Sequence, residues 1–152
     1  ISGILADEGA DMEDVSMTRL EGNFAMIVVC RGGDEQRLRD RLFDKGRELD
    51  LHIHLEPAVE RDVKQQPNAF ISAIGPNRIG IVASISGILA RHDVNIIEMT
   101  TQYLEKTSTP VYVIRLEGFV PGDWDALLKD LKKAGQDLGV EVQAEPMQQA
   151  EM

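Results

Sequence analysis

One short segment combines the residue types needed to hold a small charged ligand. It spans Gly75–Val82, where an apolar stretch gives way to a turn and then to a helical pattern. The first amides of a helix have no partner within it, and together with the helix dipole they favour a carboxylate. Asn77 offers both a donor and an acceptor, and Gly80 lets a ligand approach the backbone. The segment predicts a site for a free amino acid or, alternatively, a well-capped helix start in which Gly80 serves packing.

The second half of the sequence supplies the elements that would position this turn. Its predicted strands share β-branched or alternating apolar residues, at 69–75, 94–104, 111–119 and 140–144. Its predicted helices share apolar residues at helical spacing, at 78–92 and 123–138. Asn77 and Asp123 are the expected N-caps, Gly139 ends the second helix, and 107–110 form a hairpin loop. The resulting element order is β-α-β-β-α-β.

The first half of the chain repeats this order from a later starting point. Ile1–Ala6 recurs letter for letter as Ile85–Ala90, an offset of 84 residues. Further on the offset is 89, and the matching pairs are Leu38 with Leu127, Leu42 with Leu131, Gly46 with Gly135, and Leu49 with Leu138. Such self-similarity predicts a duplication. The first copy would contain strands near 10–20 and 24–30, a helix over 34–50 and a strand over 51–56. Its opening strand is missing, so roughly 16 further residues are expected ahead of Ile1 in the natural chain.

The sequence therefore predicts an α+β fold with two ferredoxin-like βαββαβ units. In each unit two helices would cover one face of a four-stranded antiparallel sheet. The predicted organisation is an incomplete first domain (1–57), a linker (58–68), a second domain (69–146) and a polar tail (147–152). The open sheet faces and edges would be available to a partner. Pairing of two such units would create a seam, and small-ligand sites favour seams of this kind.

Composition excludes several classes of function. The 152 residues include 16 basic and 26 acidic side chains, for a formal charge of -10. Direct nucleic-acid binding is not expected, because such affinity comes largely from lysine and arginine releasing phosphate counterions. No apolar run has the length of a membrane span, so no membrane contact is expected. The single cysteine, Cys30, cannot form an internal disulfide and indicates a reducing, cytoplasmic location.

The remaining reactive side chains are explained by the fold. His52 and His54 would share one face of a strand, as metal ligands can, but the second copy has Glu141 and Gln143 at these positions, so we interpret both histidines as polar residues on an open sheet face. Cys30 lies in an apolar run without the nearby histidine that a nucleophilic thiol needs. His92 stands near a helix end, where histidine is common. We therefore predict no catalytic residue, no metal site and no cofactor.

The residues of the turn carry a family resemblance. Ile71–Val82 resembles the opening motif of the ACT domain family, and Leu89–Ala90 and Val94–Ile96 follow in register. The family usually shows Asp-Arg-Pro-Gly in this turn, whereas this chain has Asn77 and Ile79 at the first and third positions. The resemblance covers nearly the whole chain outside the linker and tail. The ligand-binding residues that it implies are Asn77, Arg78, Gly80, Ile81 and Asn95.

The resemblance also implies a function. It indicates a non-enzymatic regulatory protein, a homo-oligomer that binds a small amino acid effector at an ACT domain interface. Its implied partner is a protein such as a transcription factor, with no direct contact to nucleic acid. Two alternatives remain open at this point. The chain could be an interaction or dimerisation module without a ligand, or the regulatory part of a larger enzyme such as a phosphatase, deformylase or nucleotidyltransferase.

Overall fold

The chain divides into two compact units. The computed structural model describes residues 1–58, 65–105 and 110–147. Unit 1 comprises residues 1–62 and unit 2 residues 63–152. The predicted hairpin loop, apart from Pro110, lies outside the described residues, as do most of the predicted linker and all of the predicted tail after Met147.

The described residues form four helices and six strands. In chain order these are α1 (Ser2–Asp7), β1 (Ala10–Leu20), β2 (Asn23–Gly32), α2 (Glu35–Glu48), β3 (Ala69–Gly75), α3 (Ile81–Arg91), β4 (Asn95–Leu104), β5 (Val111–Phe119), α4 (Trp124–Leu138) and β6 (Glu141–Pro146). Unit 2 therefore has the complete β-α-β-β-α-β order that its sequence predicts. Unit 1 begins at its first helix.

Unit 2 is built on one antiparallel sheet. The strand order is β4-β5-β3-β6, so β3 lies in the interior and pairs with β5 and β6 on its two sides. The side chains of β3 that face the helices are almost fully buried, with Ala69, Ile71 and Ala73 between 0% and 2% exposed. They pack with α3 and α4 into one apolar core that includes Leu89 and Leu127. The predicted fold class is confirmed.

The ends of α4 confirm the sequence prediction, whereas the start of α3 corrects it. Asp123 caps α4 by accepting hydrogen bonds from the amides of Asp125 (3.0 Å) and Ala126 (3.1 Å), and Gly139 ends the helix at φ +66°. The prediction that α3 begins at 78 with Asn77 as its cap is wrong. Its N-cap is Gly80 at φ +94°, a backbone angle that cannot continue an α-helix, so the helix begins only after this residue.

Hydrogen bonds extend the sheet of unit 2 slightly beyond its strands. The amide of Asn68 donates to the carbonyl of Gly118 (3.0 Å), and the amide of Met147 donates to the carbonyl of Asn68 (2.7 Å). The side chain of Asn68 exchanges two hydrogen bonds with the backbone of Val120. One residue of the predicted linker and one of the predicted tail are thus held by the sheet.

Unit 1 contains a smaller core beneath a two-stranded sheet. Among its described residues, β1 pairs only with β2. Leu5, Ala10, Leu38 and Leu42 form the buried cluster against which Val28 and Ile53 pack. Much of the β1–β2 ribbon remains exposed, including Met17 and Leu20 at 67% and Ile27 at 73%.

The duplication is visible in the backbone as well as in the sequence. In β1 the pairing shifts between Met12 and Asp14, and in β4 it shifts between Ile96 and Glu98. These two β-bulges are 84 residues apart, the same offset that relates Ile1–Ala6 to Ile85–Ala90. A bulge changes the twist of a strand and is retained as a feature of a fold. Its recurrence therefore fixes the correspondence of β1 and β2 with β4 and β5.

The predicted strand at 51–56 is the second correction. These residues alternate between half-buried and exposed, as a strand would, but they form no strand in the structure. In unit 2 the corresponding strand β6 hydrogen-bonds to β3. The described part of unit 1 has no equivalent of β3, so the segment lacks the partner that a strand needs, despite its pattern.

Candidate functional site

The candidate site begins at the end of β3, which lies beside the start of β6. Gly75 is the last residue of β3 and pairs with Tyr112 of β5. A Cβ atom placed on Gly75 would lie 2.7 Å from Cγ1 of Val140. Position 75 therefore requires glycine, because Val140 lies too close to leave room for a side chain. It allows the chain to leave the sheet directly beside Val140 and to enter the turn formed by residues 76–80.

The turn ends at an open helix terminus. At φ +94° Gly80 adopts a conformation that side chains disfavour, yet no described atom outside its chain neighbours lies within 4 Å of the position that its Cβ would take. The first helical hydrogen bond runs from the amide of Ser84 to the carbonyl of Gly80 (2.8 Å). No side chain caps α3 in the described chain. The amides of residues 81–83 precede this first helical bond, so they have no acceptor within the helix and can donate to an anion.

The side chains of the turn are exposed, with different surroundings. Asn77 and Ile79 project outward, and Ile79 is fully exposed. Arg78 lies against the backbone at Gly139, where a Cβ would be 3.4 Å from its Nη1 atom. The guanidinium therefore stands at the carboxyl end of α4, the end that favours a cation. Ile81 is 2% exposed and belongs to the core, so only its backbone amide can take part in ligand binding.

The structure does not bring Asn95 to the turn. Asn95 begins β4 and pairs with Phe119, whereas Gly75 pairs with Tyr112 on the same strand. Seven residues of extended strand separate these two positions by about 23 Å. The side-chain Nδ2 of Asn95 instead donates to Oε1 of Gln65 (3.2 Å). Of the residues implied by the resemblance, Asn77, Arg78, Gly80 and Ile81 converge, and Asn95 lies at the opposite end of the sheet.

Three residues at the turn were not predicted from sequence. Tyr112 faces Gly75 across the sheet and packs on the core, and Gly139 and Val140 form the surface that the turn crosses. Gly139 and Val140 are more than 50 residues from the turn in sequence and adjoin it only because β6 pairs with β3. A signal existed only for Gly139, which the sequence identifies as a helix end.

The local charge at the turn favours an anion despite the acidic composition of the chain. The first turn of α3 contains no acidic residue. The open amides and the nearby Arg78 supply partial and full positive charge. A carboxylate therefore fits this place better than a cation does.

The residues of the turn include neither a histidine nor the cysteine. His54 contacts Glu56 at 3.2 Å in unit 1, and Cys30 is a half-buried free thiol on β2. Within residues 1–58, 65–105 and 110–147, no three histidine, cysteine or acidic side chains come together as metal ligands would.

The contact between His92 and Asp130 gives unit 2 a pH-dependent interaction. Nε2 of His92 lies 3.0 Å from Oδ2 of Asp130. This hydrogen bond holds the pKa of the Asp130 carboxyl below its ordinary value of 3.8. A carboxyl whose pKa is lower in the folded state stabilises the fold above its unfolded pKa, and that contribution is lost as the pH falls through the folded pKa.

We therefore expect Asp130→Asn to be less stable than the wild type near pH 6 and equally stable at strongly acid pH. The measurement is the urea midpoint from pH 6 down to pH 2, followed by the fluorescence of Trp124, the single tryptophan. Asp137→Asn, an exposed position on the same helix, controls for the loss of a carboxylate as such. A difference between wild type and Asp130→Asn that stays constant over the whole pH range would contradict the expectation.

These features define unit 2 as a ferredoxin-like α+β domain with an exposed turn between its first strand and first helix. The ACT domain family model matches residues 69–145, about half of the chain. The chain belongs to the ACT domain family, which places it among proteins with regulatory domains. Unit 1 carries a second, incomplete copy of the same fold, so this is an ACT domain protein with two repeats.

Relatives and solved structures agree with this assignment. A UPF0237 protein from Methanocaldococcus jannaschii is 35% identical over 72 residues, which cover 47% of this chain and 79% of the relative. A UPF0237 protein from Pyrobaculum aerophilum is 34% identical over 74 residues, which cover 49% of this chain and 81% of the relative.

Two solved structures resemble the chain in fold over 97% of its length. One is a protein of unknown function from Galdieria sulphuraria, with a TM-score of 0.80, 22% identity and 88% of that chain covered. The other is assigned as a glycine cleavage system transcriptional repressor, with a TM-score of 0.74, 12% identity and 87% covered. None of the helices in the described residues has the length and apolar character to cross a membrane.

Proposed function

We propose that unit 2 binds a small free amino acid at the turn formed by residues 76–80, and that this binding regulates a protein partner. One observation carries the proposal. Gly80 holds a left-handed conformation with open space above it, next to helix amides that no side chain caps in the described chain. A packing role for Gly80 would place atoms near its Cβ position. The open space instead supports a role in ligand approach.

The groups of the turn match the two charges of an amino acid. Its carboxylate would accept hydrogen bonds from the first amides of α3, with Arg78 adding positive charge nearby. The side-chain oxygen of Asn77 would accept a hydrogen bond from the ammonium group. Asn77 is exposed and can turn toward the ligand. Small ligands gain at most about 1.5 kcal/mol per heavy atom, so we expect binding on the order of micromolar to millimolar.

We propose a non-enzymatic regulatory role for the bound chain. Membership of the ACT domain family supports regulation, and the proposed ligand needs no cofactor. A net charge of -10 supports a protein partner, such as a transcription factor, in preference to nucleic acid. The fold likeness to a protein assigned as a transcriptional repressor is consistent with this partner class. Coupling of about 1–3 kcal/mol between ligand and partner would change partner affinity several-fold.

A ligand-independent interaction module is the second candidate, favoured by a separate observation. The β1–β2 ribbon exposes large apolar side chains. Among them are Met17, Leu20, Phe24 and Ile27, each of which is 50–73% exposed. Exposed apolar surface of this kind marks interaction sites. The two candidates differ in their dependence on metabolites, since a pure module would form homo-oligomers or bind its partner equally well with and without amino acids.

A thermal-shift and calorimetry screen of the twenty amino acids tests the proposed site. We expect at least one small amino acid at millimolar concentration to raise the unfolding temperature of the wild type, because a ligand that binds only the folded state stabilises it. Asn77→Ala should abolish this shift without changing the unfolding temperature of the ligand-free protein. Asn95→Ala, an exposed asparagine at the far end of the same sheet, is the matched control and should retain the shift. Folded protein that shows no shift and no heat with any amino acid would refute the site.

A further inference from the structure

One face of the sheet in unit 2 lies on the side away from α3 and α4. Ile71 and Ala73 of β3 are buried in the core that these two helices share with the sheet. Because side chains alternate along a strand, Phe70, Ser72 and Ile74 lie on the opposite side. We call this surface the open face and define it by these three residues of β3 and their cross-strand partners.

One end of the open face is acidic. Glu117 of β5 lies directly opposite Glu98 of β4. On its other side Glu117 lies opposite Phe70, which in turn lies opposite Glu145 of β6. Directly opposite side chains have Cβ atoms about 5 Å apart, and like charges at such positions destabilise a sheet. Among the described residues, none of the three carboxylates has a hydrogen bond or an ion pair. This end therefore presents three uncompensated negative charges beside one aromatic ring.

The other end of the open face is apolar. Ile74 of β3 lies opposite Val113 of β5, and Val111 lies opposite Leu104 of β4. Val113 is buried, whereas Ile74 and Leu104 are exposed despite being large apolar side chains. Exposed apolar surface of this kind marks interaction sites. This end also adjoins the candidate ligand site, because Ile74 directly precedes Gly75 and the turn.

The charges of the open face select the sign of its partner. Arg115 lies in the middle row, between the acidic and the apolar end. Glu141 lies opposite Ile74 and adds a fourth carboxylate. In the rows from Phe70 to Ile74, the described charged groups are therefore four carboxylates and one guanidinium. Such a surface attracts a basic partner and repels an acidic one. A second copy of this chain, with its net charge of -10, is disfavoured for the same reason.

The length of the open face matches a short helix. Six residues of β5 separate Glu117 from Val111, which corresponds to about 20 Å of extended strand. An α-helix of about 13 residues has this length. A helix with one apolar stripe can cover a sheet face, as α3 and α4 do on the other side.

We propose that the open face of unit 2 binds a basic amphipathic helix of a protein partner. Apolar side chains of this helix pack on Ile74 and its neighbours, and its lysine or arginine side chains pair with Glu98, Glu117 and Glu145. This inference deepens the proposed function and rests on it, because it gives the surface and the chemistry by which the regulated partner binds. A ligand at the turn would lie directly beside this helix.

A synthetic helix tests the proposal on the full chain in the absence of amino acids. The probe is a fluorescein-labelled, helix-forming peptide of about 14 residues, with leucines on one stripe of its first half and lysines on the same stripe of its second half. We expect its fluorescence anisotropy to rise to saturation as the chain is added, with a dissociation constant below about 1 mM. A peptide with glutamate at every lysine position should bind at least about fivefold more weakly. So should a peptide of the same composition with leucines and lysines interleaved.

Two variants and a matched control locate the binding surface. Glu98→Gln combined with Glu117→Gln should weaken binding about fivefold at low salt, because each exposed ion pair contributes modestly. The same double variant should raise the unfolding temperature, because it removes two like charges that face each other. Ile74→Thr should weaken binding about fivefold through lost apolar contact. The control combines Asp125→Asn with Asp137→Asn, both exposed on α4, and should bind like the wild type.

Several results would overturn the proposal. These are absence of saturable binding to the wild type, and equal affinity of the probe for the wild type and the Glu98→Gln, Glu117→Gln variant. Sedimentation of the free chain tests the other occupant, since self-association that Ile74→Thr abolishes would assign the open face to a second copy. No amino acid is present in these titrations, so their failure leaves the ligand site at the turn intact. A negative amino acid screen would likewise leave the peptide result unchanged.

Discussion

Leu127→Ala is expected to lower the free energy of unfolding of unit 2 by about 2–5 kcal/mol. Leu127 is fully buried in the closed core between α4 and the sheet. Its truncation removes apolar contacts and leaves a cavity that the surrounding core cannot fill. Trp124 and both tyrosines lie in unit 2, so chemical denaturation followed by tryptophan fluorescence measures this unit specifically.

Leu38→Ala is the matched control, because Leu38 is the counterpart of Leu127 in the repeat and is also buried, at 4%. We expect a loss near the lower end of the same range, about 2 kcal/mol. The described core of unit 1 is small, and Val28 and Cys30 that pack against it are only half-buried, so a cavity there can relax. Loss of helical circular dichroism ahead of the tryptophan transition would report its unfolding. Equal losses at the two positions would contradict the expectation that the core of unit 1 relaxes around a cavity more readily than the core of unit 2 does.

Gly80→Ala should destabilise unit 2 by about 1–2 kcal/mol, although the space around the residue is open. The cost comes from the backbone, because φ is +94° and a Cβ disfavours this conformation. Gly80→Asn should be milder, since asparagine tolerates left-handed angles better than other residues do. Under the proposed function, both side chains would also weaken amino acid binding at the first amides of α3. Thermal and urea denaturation, with a titration of the ligand found in the screen, measures the two effects.

Gly87→Ala provides a control of opposite sign on the same helix. Gly87 lies inside α3, and in the described structure no atom beyond its own helix backbone and chain neighbours is within 4 Å of its Cβ position. Alanine there should stabilise the helix by about 0.5–1 kcal/mol through its higher helix propensity. Stabilisation at both positions would show that Gly80 is not held in the left-handed conformation.

The two repeats differ in how completely they form the fold and in what they expose. Unit 2 has a closed core and presents the turn ahead of α3, where we propose that the ligand binds. Unit 1 exposes the apolar β1–β2 ribbon over a smaller core.

Local signals in the sequence predicted most elements correctly. Strands β1, β3 and β5 have the predicted bounds. In β3 and β5 the apolar pattern matches a buried face, whereas β1 is exposed beyond Ala10. Asp123 caps α4 and Gly139 ends it. Both roles were predictable because each depends on one residue and the backbone within a single helical turn. The duplication was also readable, since a shared six-residue segment and a constant offset need no structure to be recognised.

Non-local interactions decided the rest. The pattern of 51–56 is that of a strand, but a strand exists only with a hydrogen-bonded neighbour, and pairing is a property of the tertiary structure. The resemblance implied Asn95 as a ligand-binding residue, whereas the sheet register places it at the end of the sheet far from the turn. Arg78 meets Gly139 only because β6 folds back beside β3. The sequence by itself determined the elements and their repetition, because these depend on neighbours within a few residues. The fold alone decided which distant backbone and side-chain groups surround the open helix start.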